Sequence, residues 1–591
     1  MSNINENRIC QNCKGNFLID TDDFNFYNKI GVPAPTWCPF CRYIRKLTFI
    51  NGRSLHKREC GHCNKSTISM YGPESPINSW CVKCYLSDAF DARDYARGYD
   101  FSQTFFEQFK ELKYSTPHRA LDQNERNGTG CEYSNFCYTS KDIYLSFFTS
   151  SSENIMYSKC HFKHNKNCMD CFTIENCDRG YELVQSKQNY NSTFLTESNQ
   201  CVDSHFLYDC INCTDCCMSV NLRNKSFVFK NQQFSRDEYK KRVGELMLET
   251  YTGQQNAKNM FDEICKSAIH KYAHIKNSVN SEGDFIDNSK NVHHSYGLSN
   301  AENVKFTNLA IASAKDCYDL VFTGRLEESY EATVAGRGGS RILFSLSCGG
   351  GSNNLYYCDS CRGCSDCFGC VSLSKKQYCI FNKQYTKDEY SNMIEKIKKH
   401  MDDMPYVDKV GRAYKFGECF PTELSPFAYN ETEAFEENPL SKEQVLAFGY
   451  KWKDLDPKSH APTVQANNLP DSIDDINDVI CNEIIECPNK GNISTQCTSA
   501  FKIIPGELSF YRLLKLPIPR YCPNCRYHSR MKWKNSFKFY KRTCMCGSIS
   551  SPSTTTKHNH QGKCEVEFET SYAPDRPEII YCEKCYQQEV I

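Results

Sequence analysis

The stretch Pro517-Ile-Pro-Arg-Tyr-Cys-Pro-Asn-Cys-Arg-Tyr527 decides the fold class, because it repeats Pro33-Ala-Pro-Thr-Trp-Cys-Pro-Phe-Cys-Arg-Tyr43 near the other end of the chain. The likeness extends outward from both stretches. Residues 10–84 contain four Cys-x2-Cys pairs separated by 24, 18 and 17 residues, and the same three gaps recur between Cys497 and Cys582. The first and the last hundred residues are therefore two copies of one cysteine-rich module.

Each module is predicted to bind two zinc ions, about four in the whole chain. A Cys-x2-Cys turn delivers two thiolates from one tight loop, and a second such turn completes a tetrahedral site. The expected N-terminal ligands are Cys10, Cys13, Cys38, Cys41, Cys60, Cys63, Cys81 and Cys84. The expected C-terminal ligands are Cys487, Cys497, Cys522, Cys525, Cys544, Cys564, Cys582 and Cys585. The alternatives are disulfides, or cysteines that serve only as small buried apolar side chains.

The sequence leaves two features of the ligand sets open. Consecutive pairs would form two zinc ribbons per module, which we favour, whereas alternating pairs would form a cross-brace of the RING type. In the C-terminal module two of the four tight turns are widened. Three further donors lie inside the second widened turn and could displace Cys544 or Cys564 as ligands: Cys546, His558 and His560.

Between the two modules the pattern changes to a short repeat. Residues recur every 12 or 13 positions in two series, with Asn, Asp and Ser between them. The series are Ile143, Ile155, Cys168, Tyr181, Phe194 and Phe206, and Val292, Val304, Cys317, Tyr330, Leu343, Tyr356 and Phe368. One strand-like unit per dozen residues, with Asn or Asp at the turn, is typical of a β-solenoid, whose turns bury apolar side chains only by stacking. Cysteine-rich parts of the two series match at an offset of 151 residues.

Each solenoid copy ends in a motif that predicts a helix with a capping box, Ser235-Arg-Asp-Glu238 and Thr386-Lys-Asp-Glu389. A helix there would cover the strand edge that an open solenoid exposes. The predicted fold is thus a multi-domain, mainly β chain in which two zinc-ribbon-like (treble-clef or ribbon) modules flank two duplicated short-turn β-solenoid segments. The predicted domains are a zinc module (1–90), a helical linker (91–130), the first solenoid (131–234), a helical cap and linker (235–280), the second solenoid (281–385), a cap helix with an acidic linker (386–480) and the second zinc module (481–591).

A run of cysteines at every third residue lies in the second solenoid: Cys358, Cys361, Cys364, Cys367 and Cys370. One interpretation is a further metal or iron–sulfur loop, and the other is a stack of small side chains inside a narrow solenoid. We favour the stack, because five evenly spaced residues without a distant partner are poorly suited to tetrahedral coordination.

Composition restricts the class of protein. The 591 residues carry no net formal charge, so the molecule as a whole is not built to bind a polyanion. The 39 cysteines come without the apolar core of a signal peptide and without an apolar run long enough to span a membrane. We therefore expect a soluble, non-secreted protein of a reducing compartment, whose thiols bind metal or are buried, and which has no membrane partner.

Charge is nevertheless segregated along the chain. Twelve Lys or Arg and no acidic residue occur between Leu508 and Cys564, with aromatic residues interleaved, and seven basic residues without an acid run from Lys29 to Arg58. Basic zinc modules with exposed aromatic rings commonly bind nucleic acid by neutralising phosphates and stacking on bases. The candidate contacts are Arg42, Arg45, Arg58, Arg526, Arg530 and Arg542. A solvated basic face, or one docked on the acidic linker, is the alternative.

Enzyme motifs are missing from the sequence: it has no P-loop, nucleophile elbow, dinucleotide fingerprint or zinc-protease helix motif. We therefore expect no catalytic residue and interpret the protein as a zinc-binding scaffold that contacts nucleic acid. The alternatives are a protein–protein adaptor with cross-braced modules and a carbohydrate-acting β-solenoid enzyme. Such an enzyme would use charged residues on one solenoid face: Asp316, Asp319, Arg325, Arg337 and Arg341.

Several longer motifs carry a family resemblance. They are Cys38-Pro-Phe-Cys-Arg42, Pro470-Asp-Ser-Ile-Asp-Asp475, Glu507-Leu-Ser-Phe-Tyr511, Leu516-Pro-Ile-Pro-Arg520, Thr570-Ser-Tyr-Ala-Pro-Asp-Arg-Pro-Glu578 and Tyr581-Cys-Glu-Lys-Cys585. Over most of its length the chain resembles the uncharacterised cysteine-rich zinc-ribbon proteins of small-genome bacteria and large DNA viruses. The resemblance implies metal binding by the aligned cysteines and a cytoplasmic or virion-internal location, and it implies no catalytic residue. The widened turns Cys487-x9-Cys497 and Cys544…Cys564 depart from the family pattern.

Overall fold

The computed structural model describes residues 5–124, 127–161, 164–336, 338–454, 461–547 and 564–591. The chain divides into two compact units. The first unit comprises residues 1–125, 273–453 and 537–539, and the second comprises residues 126–272, 454–536 and 540–591. Each unit therefore combines one cysteine-rich module with the solenoid that is more distant from it in the sequence. No helix in the described ranges is long and apolar enough to cross a membrane.

The helices lie mainly in the modules and at the solenoid ends. In chain order they are α1 (Thr21–Ile30), α2 (Pro39–Leu47), α3 (Val82–Tyr85), α4 (Phe105–Ser115), α5 (Arg236–Gly244), α6 (Tyr251–Cys265), α7 (Lys387–Asp403), α8 (Glu433–Glu437), α9 (Lys442–Ala447), α10 (Pro505–Leu514), α11 (Pro523–Met531) and α12 (Glu583–Val590).

Both solenoids are parallel sheets closed by an antiparallel last strand. The strands of the second unit are Lys141–Tyr144, Glu153–Met156, Lys166–Met169, Gly180–Tyr181, Thr193–Thr196, His205–Tyr208, Thr214–Val220, Ser226–Phe229 and Gln232–Gln233. Those of the first unit are Ile275–Lys276, Val279–Asp287, Lys290–Ser299, Glu302–Lys305, Asn308–Ala310, Ala314–Tyr318, Val321–Thr323, Leu326–Glu327, Gly339–Leu343, Ser352–Tyr356, Ser365–Phe368, Gln377–Ile380 and Lys383–Gln384.

The solenoid backbone bends at every third residue. Positive φ angles recur, for example, at Phe136, Thr139 and Asp142. Because Thr193 pairs with His205, twelve positions further on, one turn has four sides of three residues each. The left-handed conformation is unfavourable for most side chains, and Asn and Asp tolerate it best, which explains their abundance in these segments.

Every third side chain points into the solenoid, where small polar groups complete the backbone hydrogen bonding. The Ser146 hydroxyl donates to the Tyr144 carbonyl oxygen at 3.1 Å and accepts the N–H of Ser158, one turn later, at 3.0 Å. The hydroxyl therefore gives the Ser158 N–H an acceptor, and it is a second donor to the Tyr144 carbonyl oxygen, which also accepts the N–H of Tyr157 at 3.0 Å.

Cysteine replaces serine in the same role. The Cys171 thiol donates to the Met169 carbonyl oxygen at 3.3 Å and accepts the N–H of Leu183 at 3.5 Å. All five residues of the regularly spaced run in the first unit have 0% of their surface exposed: Cys358, Cys361, Cys364, Cys367 and Cys370. Within the described residues no three of these thiols are close enough together to hold a metal ion. The run is a stack of small interior side chains.

The register differs from the predicted one at the same place in both solenoids. Cys168 pairs with Gly180 instead of Tyr181, and Tyr330 pairs with Tyr318 instead of Cys317. The paired residues are 12 positions apart in both cases, whereas the predicted repeat placed them 13 positions apart. Since a shift of one position moves a side chain to another face, Tyr330 lies outside the interior column and packs against Tyr27 of α1 at a ring distance of 5.4 Å.

Helices follow both solenoids where the capping motifs predicted them. At α7 the capping box is complete, with Thr386 Oγ1 accepting the N–H of Glu389 at 3.3 Å and the Glu389 carboxylate accepting the N–H of Thr386 at 2.9 Å. At α5, Ser235 Oγ accepts the N–H of Glu238 at 3.3 Å, and the structure shows only this half of the box. Tyr390 of α7 packs on Tyr378 of the last parallel strand.

The remaining strands form small two-stranded sheets. The antiparallel pairs are Glu6–Ile9 with Asn16–Ile19, His56–Glu59 with Ser66–Ser69, Tyr406–Val407 with Ala413–Tyr414, Ile485–Glu486 with Ala500–Phe501, and Tyr540–Thr543 with Glu567–Thr570. The parallel pairs are Ser79–Trp80 with His118–Arg119, Cys137–Tyr138 with Thr149–Ser150, and Ile269–Lys271 with Ile579–Tyr581. All 39 cysteines lie in described residues and none forms a disulfide, so the disulfide alternative is not observed.

Candidate metal centres

The structure brings the predicted ligands together in four groups, in each of which the four Sγ atoms lie within 4.8 Å of one another. Site 1 is Cys10, Cys13, Cys38 and Cys41; site 2 is Cys60, Cys63, Cys81 and Cys84; site 3 is Cys487, Cys497, Cys522 and Cys525; site 4 is Cys544, Cys564, Cys582 and Cys585. Consecutive pairs therefore share a site in both modules. The described residues do not form the cross-brace of alternating pairs, which the adaptor alternative required.

The spacing of the sulfur atoms fits tetrahedral coordination. A zinc–sulfur bond of about 2.3 Å places neighbouring ligands of a tetrahedron about 3.8 Å apart. The observed Sγ–Sγ distances are 3.8 Å for Cys13–Cys38, 3.8 Å for Cys487–Cys525, 3.9 Å for Cys497–Cys522 and 4.0 Å for Cys564–Cys582.

One backbone hydrogen bond recurs in all four sites: the third cysteine of the set donates its N–H to the sulfur of the first. The donor–acceptor pairs are Cys38 to Cys10 at 3.2 Å, Cys81 to Cys60 at 3.2 Å, Cys522 to Cys487 at 3.3 Å and Cys582 to Cys544 at 3.3 Å. A backbone N–H stabilises the ionised form of the thiol, which is the form that binds metal.

The third cysteine of each set also precedes a helix. Cys38, Cys81, Cys522 and Cys582 are the N-cap residues of α2, α3, α11 and α12, respectively. The positive end of the helix dipole favours thiolate at this position. A bound cation would therefore fix the point at which each helix begins.

Side-chain amides support the sulfur atoms at equivalent places of sites 1 and 3. Asn12 Nδ2 donates to Cys41 Sγ at 3.3 Å, and Asn489 Nδ2 donates to Cys525 Sγ at 3.1 Å. Each asparagine lies two residues after the first cysteine of its site. Hydrogen bonds of this kind orient metal ligands and tune their basicity.

Hydrogen bonds among the thiols of one site shift their pKa values in opposite directions. Hydrogen bonds from the thiols of Cys38 and Cys41 lower the pKa of Cys10, whereas the hydrogen bond to Cys10 raises the pKa of Cys38 to about 12. Burial acts to raise the pKa of Cys60, but three backbone N–H groups outweigh it and lower this pKa to about 6. One thiol of a group ionises at the expense of its neighbours, and a bound divalent metal would relieve that competition. Four thiolates in a tetrahedron suit zinc or iron.

In the first unit, α2 carries two arginines from site 1 into the solenoid. Arg42 donates to the Asp319 carboxylate from Nη2 at 2.8 Å and from Nε at 3.1 Å. Arg45 binds both oxygens of Glu331, at 2.8 and 2.9 Å, and one oxygen of Glu418 at 3.0 Å. All five side chains are buried.

The second unit repeats this arrangement with α11. Arg526 Nε donates to Asp170 at 2.9 Å and its Nη2 to Glu507 at 3.3 Å, while Arg530 Nη1 lies 2.9 Å from the other oxygen of Asp170. Glu507 also accepts the hydroxyl hydrogen of Tyr157 at 2.7 Å. Asp170 occupies the position in its solenoid that Asp319 occupies in the other, two residues after the aligned Cys168 and Cys317.

These contacts argue against nucleic-acid binding by four of the six candidate arginines. Four of them are 0 to 5% exposed and paired with solenoid carboxylates: Arg42, Arg45, Arg526 and Arg530. Arg58 donates to the carbonyl oxygens of Gly72 and Ile77, and Arg542 donates to that of Ala573. A guanidinium that is buried in an internal ion pair offers no donor to a phosphate.

Other cations of the basic stretch pair with acids of the same unit. Arg512 lies 2.7 Å from Asp478, and Arg520 lies 3.6 Å from Asp471. Both acids belong to the acidic linker, so this part of the basic stretch docks on it, as the alternative interpretation proposed. His558 and His560 lie outside the described residues.

Both aspartates of the enzyme alternative pair with basic residues of the N-terminal module. Asp319 is buried against Arg42, while Asp316 pairs with Lys29 at 3.0 Å. Arg341 pairs with Glu328 at 3.7 Å. Among the described residues of this set, the carboxylates are thus engaged with α1 and α2, and Arg337 lies outside the described residues.

Of the carboxylates that receive the arginines, only Asp319 is named from the sequence, as part of a carbohydrate-acting face. Their signal in the sequence is weak: Asp170 and Asp319, like Glu182 and Glu331, occupy matching positions in the two solenoid copies, 149 residues apart. Asp and Glu are common at solenoid corners, so matching positions alone did not distinguish buried acids from exposed ones.

Comparison with known proteins assigns no family to the chain: no family model matches it, and neither does any curated protein.

Proposed function

We propose that the four cysteine sites bind four zinc ions and that the protein is a zinc-dependent structural scaffold. The repeated arrangement of four thiols, one backbone N–H to sulfur and one helix start supports this proposal most strongly. Each structural zinc site of this type contributes on the order of 10 kcal/mol to folding. Zinc suits these sites because they combine four soft ligands with no open position for a substrate.

The metal has a defined mechanical role in sites 1 and 3. Cys38 and Cys41 lie at the start of α2, and Arg42 and Arg45 follow within the same helix. Coordination would thus set the position and direction of α2, and α2 sets the position of the two guanidinium groups. Site 3 acts on α11 in the same way. Within each unit, zinc would therefore determine whether the module stays docked on its solenoid.

Because the ion pairs between α2 and its carboxylate partners are buried, docking of the module depends on the exact position of α2. A buried charge that loses its partner costs several kcal/mol, because it has been removed from water without compensation. A small displacement of α2 would separate Arg45 from both Glu331 and Glu418. We do not extend the proposal to nucleic acid, because the arginines nominated for that contact are bonded internally.

A single ligand substitution tests the proposal. In the full chain, Cys13→Ser should reduce bound zinc from four ions to three, measured by native mass spectrometry, and should accelerate hydrogen exchange in α2. Cys361→Ser, in the solenoid interior, is the matched control and should retain all four ions. The proposal fails if the wild-type chain, purified under reducing conditions, binds no zinc, or if Cys13→Ser loses zinc while α2 keeps its full protection.

A further inference from the structure

Site 4 contains a fifth thiol. Cys546 is fully buried, and its Sγ lies 3.4 Å from Cys585 Sγ. Cys564, from the other end of the widened turn, lies 4.0 Å from Cys582. Both distances are close to the separation of about 3.8 Å expected between two ligands of one zinc ion.

Comparison with site 2 shows how the extra thiol arises. In site 2, the backbone N–H of Cys60 donates to the backbone carbonyl oxygen of Lys65 at 3.0 Å, and Cys63 lies two residues before Lys65. In site 4, the backbone N–H of Cys544 donates to the backbone carbonyl oxygen of Val566 at 3.0 Å, and Cys564 lies two residues before Val566. Counted from the acceptor strand, Cys564 is therefore the equivalent of Cys63.

Counted from the first cysteine, Cys546 matches His62, one residue before the second ligand of site 2. The residue after the first cysteine makes an equivalent backbone hydrogen bond in both sites. The N–H of Gly61 donates to the carbonyl oxygen of Ser79 at 2.9 Å, and the N–H of Met545 donates to that of Ile580 at 2.9 Å. Cys546 follows directly after Met545, in the turn where site 2 has its second ligand. A cysteine therefore lies at each end of the widened turn: Cys564 belongs to the group of four thiols, and Cys546 contacts Cys585 of that group.

We propose that site 4 has two overlapping ligand sets, which share Cys544, Cys582 and Cys585 and use either Cys546 or Cys564 as the fourth ligand. This inference depends on the proposed function, because it requires that the site binds zinc. Sites 1, 2 and 3 have no such pair of alternative ligands in their described surroundings. Site 4 is therefore the one at which a ligand exchanges without loss of the metal.

The exchange is balanced without any oxidant or reductant. Zinc with four thiolates carries a net charge of −2, and a fifth thiolate in this buried place would add another uncompensated charge. The thiol that is not bound therefore keeps its proton. When it enters, it forms one Zn–S bond and gives up that proton, while the leaving thiolate breaks its Zn–S bond and takes a proton up.

Such an exchange would also make Cys564 a modification site. At any time one of the two alternative thiols is not bound to metal, and Cys564 is the most exposed cysteine of site 4, with 9% of its surface accessible. When Cys546 occupies the metal, a soft electrophile such as iodoacetamide should alkylate Cys564: the thiol gives up its proton, its sulfur forms an S–C bond, and iodide leaves. The product would hold site 4 in the Cys546 ligand set with zinc still bound.

Serine variants of the full chain test this proposal. Cys546→Ser and Cys564→Ser should each retain four zinc ions by native mass spectrometry, and the double variant should retain three. Cys63→Ser in site 2, where no alternative thiol exists among the described residues, should lose one ion as a single change. In the wild-type protein, iodoacetamide should modify one thiol of site 4, mapped to Cys564, with four zinc ions still bound.

Several outcomes would overturn the inference. If either single variant binds only three ions, the ligand set of site 4 is fixed. If the double variant still binds four, a donor other than these two cysteines completes the site. Retention of the other three ions shows that a variant is folded. Absence of zinc from the wild-type protein would instead refute the proposed function itself, so the two failures are distinguishable.

Discussion

Replacement of Asp319 by asparagine tests how the first module is held on its solenoid. The carboxylate is buried, and its Oδ2 receives two hydrogen bonds from Arg42, at 2.8 and 3.1 Å. Its Oδ1 lies 3.5 Å from Lys46 Nζ. Asp319→Asn keeps the shape of the side chain and removes its charge. Two buried cations then share the site with no carboxylate on Asp319 to neutralise them.

The expected cost follows from this burial. Removing one partner of a buried ion pair costs about 3–5 kcal/mol, and we expect about 3 kcal/mol here because the amide oxygen still accepts a hydrogen bond. The control is Asp316→Asn, three residues away. Asp316 pairs with Lys29 at 3.0 Å, but 47% of the Lys29 side chain is exposed, so this pair contributes at most about 1 kcal/mol.

Hydrogen exchange of the α2 amides measures the difference. If α2 exchanges when the module undocks, a loss of about 3 kcal/mol accelerates its exchange roughly 100-fold, and the control accelerates it at most about fivefold. Zinc content should stay at four ions in both variants, which separates undocking from metal loss. Equal, small effects of Asp319→Asn and Asp316→Asn would refute the claim that the buried pair holds the module.

Three further predictions concern the solenoid and its ends. Cys361→Ser should change the free energy of unfolding by less than about 1 kcal/mol in a urea titration, because serine fills comparable interior positions such as Ser345, whose Oγ donates to a backbone carbonyl at 2.8 Å. Burial acts to raise the pKa of Glu331, but Arg45 and its neighbouring cations outweigh this and lower it from 4.5. The stability that Glu331 contributes should therefore be full above its unfolded pKa and be lost as the pH falls through its lower folded pKa, and a Glu331→Gln variant should melt with a weaker acid dependence over that range. Thr386→Ala should destabilise α7 by about 1 kcal/mol in the same titration, since it removes the acceptor for the N–H of Glu389.

The four cysteine sites could be located from the sequence because their members come in pairs. Tight turns such as Cys38-x2-Cys41 form locally, and the equal gaps in the two modules showed which turns correspond. The consecutive pairing was favoured and is the one observed. The fifth thiol of site 4 was recognised as a possible ligand, but spacing alone did not show that Cys546 and Cys564 reach the same place.

The solenoid was also predicted from the repeat of about 12 residues, but its register was not. From Cys168, a step of 12 residues leads to Gly180 and a step of 13 residues leads to Tyr181, and the sequence pattern accepts either residue as the next one in the column. Only the strand pairing shows that the small glycine faces the interior and the tyrosine faces outward. A repeat aligned on apolar residues alone places an aromatic ring in the core, at a position where the narrow interior accepts only a small side chain.

The contacts between module and solenoid could not be predicted from the sequence. Arg42 and Asp319 are 277 residues apart, and each lies in a segment whose local pattern has another explanation. An arginine in a basic module is usually exposed, and an aspartate at a corner usually turns the backbone. The pairing of each module with the more distant solenoid depends on such long-range contacts, and no local propensity encodes them.

The central claim is that four zinc ions, each bound by four thiolates, hold the modules together. The most direct test is zinc X-ray absorption on the reduced full-length protein, combined with a metal count by elemental analysis. We predict four zinc ions per chain and a single coordination shell of four sulfur atoms at about 2.3 Å. Fewer than four ions, or a shell in which nitrogen or oxygen replaces a substantial part of the sulfur, would contradict it.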